Sequence, residues 1–137
     1  MKRRHTIACS LSNLKGVRDF IRESISEQVT NNITSEDVVL ALDEMCSNLM
    51  IHAHQCNPDH TIELMLDTTN PNCLVVEITD DGNAFDINAF REPELNNLVN
   101  EKRKGGLGIR LVKSIMDSIE YFERNGAKVC RLTKKIQ

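Results

Sequence analysis

The chain has 137 residues, of which 40% are hydrophobic and 27% charged: enough apolar matter for one domain with its own core, and too balanced a composition for intrinsic disorder. Seventeen Lys and Arg stand against 20 Asp and Glu, a net charge of −3, which argues against general binding to nucleic acid or to an anionic membrane. Four Phe, one Tyr and no Trp leave the packing to Leu, Ile, Val and Met and offer few platforms on which bases could stack.

In chain order, residues 6–9 read as a short strand. From Leu11 the period changes: Leu14, Val17, Ile21 and Ile25 recur three and four apart, one stripe of an amphipathic helix. Asn31 and Asn32 break it. Ser35, followed by Glu36 and Asp37, is the expected N-cap of a second helix. Its apolar stripe, Val38, Leu42, Met45 and Leu49, continues to about His52. Asn57-Pro58-Asp59 is a loop. Two strands follow: 61–67 alternates with Ile62, Leu64 and Leu66 on one face, and 73–79 carries Leu74, Val75, Val76 and Ile78. Between them, 68–72 has the composition of a hairpin turn.

Residues 80–104 are polar and broken by Pro93; a connection of that length is a functional lid or a disordered segment. Gly105-Gly106-Leu107-Gly108 opens a last helix, with Ile109, Val112, Ile115 and Met116 apolar, and 119–122 and 129–136 close the chain as a hairpin around Asn125-Gly126. The order β-α-α-β-β-lid-α-β-β predicts one α+β domain over 1–137, a two-layer sandwich with a mixed, mostly antiparallel sheet and helices on one face. The apolar stretch behind Met-Lys-Arg-Arg-His is too brief for a secretory leader, and no run approaches the roughly 18 apolar residues of a membrane span, so a cytoplasmic location is expected. Cys9, Cys46, Cys56, Cys73 and Cys130 form no C-x-x-C pair and read as reduced packing thiols.

Three polar constellations stand out. Glu44 and Asn48 are four apart and share a helix face beside the apolar stripe. A carboxylate there can take a proton or orient an attacking hydroxyl, and an amide oxygen one turn on is a hard, neutral donor suited to Mg²⁺. The bland alternative is two polar residues at a helix boundary. Asp80-Asp81-Gly82-Asn83-Ala84-Phe85 follows a strand: a carboxylate at a strand end can accept from an exocyclic amine, and Gly82 lets a flat ring approach, although Asp-Gly is also a common turn. Gly105-Gly106-Leu107-Gly108, behind Lys102, Arg103 and Lys104, offers free N–H groups at a positive helix end to phosphates, or is simply a glycine hinge. Its spacing fits neither the dinucleotide fingerprint nor the Walker pattern. His52, His54, Cys56 and His60 suggest a metal-binding module, yet His52 and His54 point about 200° apart on a continuous helix and could not both ligate there.

Each constellation is weak alone; their order and spacing together resemble the histidine-kinase-like ATPase superfamily shared with gyrase, and within it the bacterial anti-sigma-factor serine/threonine kinases. Glu44…Asn48 resembles the superfamily's N box, with His52-Ala53 similar to the anti-sigma branch. Asp80-x-Gly82-x-x-Phe85 resembles its first glycine box and Gly105-Gly106-Leu107-Gly108-Ile109 its second. The ending Tyr121…Asn125-Gly126…Leu132-Thr133-Lys134-Lys135 carries the likeness through nearly the whole chain. The departures are Ala84, where many members have a second glycine; Leu49, where a small residue is common; and His54, where the branch often has Tyr.

The resemblance implies the left-handed ATPase sandwich, with ATP held between the helices and a lid at about 86–104. It implies Asn48 as the Mg²⁺ ligand and Asp80 as acceptor from the adenine amino group, with Gly82 giving the ring room and Phe85 in the same nucleotide-binding box. Gly105, Gly106 and Gly108 cradle the phosphates, with Leu107 between them in the binding segment. Glu44 is the implied catalytic residue, orienting or deprotonating an acceptor hydroxyl. The implied acceptor is a Ser or Thr of a small anti-anti-sigma protein, exchanged for a sigma factor according to ATP or ADP, with no direct contact to nucleic acid or membrane; a homodimer is carried over from the family. The alternative is a catalytically silent nucleotide-binding regulatory module, against which the carboxylate of Glu44 speaks.

Overall fold

The strand and helix patterns meet as two layers in the computed structural model, which describes residues 1–53, 57–80 and 106–136. The strands are β1 (Lys2–Ala8), β2 (Thr61–Asp67), β3 (Cys73–Asp80), β4 (Ser118–Arg124) and β5 (Ala127–Lys135). They pair in the order β1-β2-β3-β5-β4, and all these pairings are antiparallel. The helices are α1 (Leu14–Ile25), α2 (Asn32–Asn48) and α3 (Gly106–Ile115), with a 3₁₀ turn at Leu11–Asn13 and a π-helical turn at Leu49–Ala53.

Alternation along each strand sorts the side chains into two faces. One face carries Ile7, Ile62, Leu64, Leu66, Leu74, Val76, Ile78, Cys130 and Leu132, and joins a single core with Val17 and Ile21 of α1, Leu42 and Met45 of α2 and Val112 of α3. This is the predicted two-layer α+β sandwich, with the helices on one face. The thiols of Cys9, Cys46 and Cys130 belong to that core, Cys73 is partly buried outside it, and all four are free; burial pushes Cys46 up to about 12, which makes it an inert packing group. Cys56 lies outside the described residues.

The other face is polar and laced by charge. The register aligns Arg4, Met65, Glu77, Arg131 and Glu120 in one row across all five strands. Glu77, only 6% exposed, accepts from Arg124 at 2.8 Å and stands 2.9 Å from the Arg131 guanidinium. Both guanidiniums lie over the Phe122 ring, at 5.3 and 4.7 Å. The hydrogen bond from Arg124 is the main cause that holds the Glu77 carboxyl below its ordinary 4.5, against the opposing effect of burial. A depressed value means that the stabilisation is complete above the unfolded value and is lost as the pH falls through the folded one. Glu77→Gln should therefore cost about 2 kcal/mol at neutral pH and flatten the acid limb of the stability curve. Urea unfolding at neutral pH and across the acid range checks both; an unchanged acid limb would contradict the assignment.

Two boundaries differ from the sequence reading. Asn31, not Ser35, caps α2: its backbone is extended and its Oδ1 accepts from the N–H groups of Ile33 (2.8 Å) and Thr34 (3.2 Å). Asn caps as well as Ser does, and using it adds just over a turn to the helix. β1 begins at Lys2 because an edge strand tolerates Lys2, Arg3 and Arg4, charges that also discourage pairing with another chain. The final hairpin turns where expected, with Asn125 at φ 52° and Gly126 at φ 82°, the left-handed pair that a two-residue hairpin requires.

Candidate functional site

Hydrogen bonds at the helix ends show which way each helix runs over the sheet. Before α1, Asn13 Nδ2 donates to the carbonyl of Ala8, at the end of β1. After α1, Gln28 Nε2 donates to the carbonyls of Asn70 (2.6 Å) and Cys73 (3.2 Å), around the β2–β3 turn. α1 thus runs from one end of the sheet to the other. α2 returns antiparallel to it: Arg22 pairs with Glu36 near the start of α2, and Arg18 with Asp43 near its end, each at 3.0 Å. The last turn of α2, with Glu44 and Asn48, therefore lies toward the Ala8 end. β3 leaves the sheet at that same end, since Ala8 is opposite Thr61 and Ile62 is opposite Asp80.

The two α2 residues sit in different environments. Asn48 is 2% exposed; it and Glu77, on the far face of the sheet, are the buried polar residues among the described residues. Glu44 is half-buried; burial first, and the neighbouring Asp43 carboxylate second, raise its proton affinity. Immediately after Asn48 the helix widens into the π-helical turn, which buries Leu49 and Met50 together and leaves Ile51 at the surface. Such widened turns recur at functional positions.

The structure thus brings together Glu44, Asn48 and the backbone of Asp80 at one end of the sandwich. Gly106, Leu107 and Gly108 form the first turn of α3, which packs against α2. Gly82, Phe85 and Gly105 lie outside the described residues, as does the lid expected at 86–104. Of the histidine–cysteine cluster, His54 and Cys56 also lie outside; the His60 carbonyl accepts from Cys9 N at 2.9 Å and so ties the start of β2 to the end of β1. Among the described residues no three His, Cys, Asp or Glu side chains gather as a metal cage. Two features escaped the sequence reading: the π-helical turn, whose trace is the apolar run Leu49-Met50-Ile51, and the Arg18–Asp43 bridge, for which a separation of 25 residues leaves no local signal.

A profile of the histidine kinase-like ATPase domain matches residues 7–134. The chain belongs to that family. As a histidine kinase-like ATPase domain it is 31% identical over 106 residues to the serine-protein kinase RsbW of Halalkalibacterium halodurans, a match covering 74% of this chain and 63% of the relative. The RsbW of Bacillus anthracis is 29% identical over 106 residues, covering 74% and 64%, and that of Staphylococcus aureus 26%, covering 74% and 66%. The chain thus spans somewhat under two thirds of the length of the first two of these curated relatives. Among solved structures, the crystal structure of the RsbU and RsbW domains of Rv1364c from Mycobacterium tuberculosis superposes with a TM-score of 0.61 at 14% identity, over 99% of this chain and 32% of that one. At that identity the likeness is one of fold. No helix among the described residues of this ATPase domain is long and apolar enough to cross a membrane.

Proposed function

We propose that the chain is an ATP-dependent protein serine/threonine kinase of the anti-sigma-factor type, a small regulator that phosphorylates an anti-anti-sigma protein and exchanges it for a sigma factor. The observation that carries the reading is the last turn of α2: a half-buried carboxylate with raised proton affinity, one helical turn from a buried amide, at the end of the sheet where β3 exits. The residues suit Mg-ATP. A neutral amide oxygen, held in place by burial, is a donor that Mg²⁺ accepts beside phosphate oxygens and water. Glycines at the head of a helix leave its first N–H groups open to phosphate.

In this reading Asn48 holds the metal, Asp80 accepts from the adenine amino group, Gly82 and Phe85 complete the ring's pocket, and Gly105, Gly106, Leu107 and Gly108 hold the phosphates. Bound Mg-ATP supplies the phosphoryl group and neutralises its charge. Glu44 takes or orients the proton of the acceptor hydroxyl, and burial improves it as a base. The lid over 86–104 excludes water, and a second copy of the chain completes the expected assembly in the cytoplasm.

The test is twofold: calorimetric titration with Mg-ATP, then incubation with radiolabelled ATP and a candidate acceptor carrying Ser or Thr. Asp80→Asn should weaken ATP binding about tenfold, because an amide both removes the acceptor's charge and can turn a donor toward a donor. Equal affinities for parent and variant would remove Asp80 from the adenine site.

A further inference from the structure

We infer that Lys134 is a positioning residue for the triphosphate, acting through α3; this rests on the reading of the glycine start of α3 as the phosphate cradle. On β5, Cys130 and Leu132 face the helices and are wholly buried. The next residue of that inward row is Lys134, where an apolar side chain is expected. Its ammonium donates to the carbonyl of Ile115, the last residue of α3, at 2.8 Å. That carbonyl is one of the four that a helix end leaves without an internal partner, and a cation there complements the negative end of the helix dipole. Two further bonds fasten the same place: Asp117 N donates to the Thr133 carbonyl at 2.8 Å, and Lys135 N to Asp117 Oδ2 at 2.6 Å.

The anchor lies at the end of the sheet opposite the candidate site. Lys134 is in register with Leu74 and Thr133 with Val75, at the start of β3, whereas Asp80 is its last residue. The ten residues of α3 rise about 15 Å, and β3 rises about 16 Å from Val75 to Asp80. A helix laid back from the anchor spans the distance to the exit of β3. α3 is a rod fixed at its C-terminal end, and the fixed end sets where the glycine end comes to rest. A pivot of about 4° at the anchor displaces the far end of a 15 Å rod by about 1 Å, and displacements of that size weigh heavily on groups that must meet a ligand in a set geometry. A direct pull of the ammonium on phosphates at that distance is largely screened at 0.15 M salt, so its contact with Ile115 carries the effect.

Calorimetry at 0.15 M salt with Mg-ATP and with adenosine as separate probes decides the matter. Lys134→Met keeps an unbranched stem and removes the charge; its ATP affinity should fall about tenfold while adenosine affinity is retained, because the adenine contacts are assigned to β3 and its exit. Lys134→Arg should restore most of the loss, since it again donates to the Ile115 carbonyl. If Lys134→Met fails to fold, Lys134→Gln, which keeps a donor without charge, carries the same comparison. Equal losses for ATP and adenosine, or an Arg variant as weak as the Met variant, would show Lys134 to be structural only and overturn the inference. A parent protein that binds adenosine but gains nothing from the phosphates would instead overturn the phosphate reading of α3, and the inference with it.

Discussion

Glu44→Gln will lower phosphoryl transfer about a hundredfold, the usual cost of losing a general base, and leave Mg-ATP affinity nearly unchanged. Glutamine keeps the size and part of the hydrogen bonding of the side chain, so the fold and the metal site are spared; what disappears is the charge and the capacity to take a proton. The environment of Glu44 makes the assignment sharper. Burial and Asp43 both raise its proton affinity above that of a free glutamate, whose ordinary value is 4.5. A base works in its deprotonated form, so transfer should decline with acid at a pH above that ordinary value, and Glu44→Gln should lose this limb of the profile. The measurement is radiolabel transfer to an acceptor protein across pH, with ATP binding followed in parallel. Full transfer by the variant would remove Glu44 from the role of base, whereas binding of ATP without any transfer by the parent would favour the silent nucleotide-binding module.

Asn48→Ala should fail one step earlier. The amide is the residue assigned to the metal, and a phosphate-bridging ion needs its ligands before any chemistry begins. ATP affinity in the presence of Mg²⁺ should fall by at least about tenfold, corresponding to the loss of a buried hydrogen-bonding group, and transfer should fall with it. Affinity measured with EDTA should differ little between the variant and the parent. Because Asn48 is 2% exposed at the end of α2, Asn48→Asp is the necessary companion: it preserves shape and an oxygen donor, and it separates loss of the ligand from loss of packing. An Ala variant that still gains affinity from Mg²⁺ as the parent does would remove Asn48 from the metal site.

Much of this was legible in the residues, and for definite reasons. Periodicity revealed the helices because their buried faces contribute to one shared core; Val17, Ile21 and Ile25 are wholly buried, as the spacing required. The hairpin at Asn125-Gly126 was legible because few residues other than these adopt positive φ. The cap of α2 was misread because Asn serves equally to break one helix and to begin another, and sequence alone does not say which. β1 looked too short because burial fell on alternate residues of an edge strand and its charged neighbours masked the pairing. In the candidate site, the shared face of Glu44 and Asn48 followed from a spacing of four. The bridge of Arg18 to Asp43 and the bond of Lys134 to Ile115 did not, because both are products of tertiary packing that no local pattern encodes.

Among the described residues no helix packs on the charged face of the sheet, and that bears on how the face meets other chains. A flat antiparallel face without helices is a template for sticking, and many proteins blunt such faces with solvent-facing charge. Here the charges are matched across neighbouring strands, Glu77 to Arg131 and Arg131 to Glu120, so the face satisfies itself. Another sheet settling on it would strip water from Arg124 and Arg131, whose side chains are 48% and 35% exposed, and would find their carboxylate already engaged. The lattice of charge that holds Glu77 in place is thus also a barrier to another sheet stacking on this face.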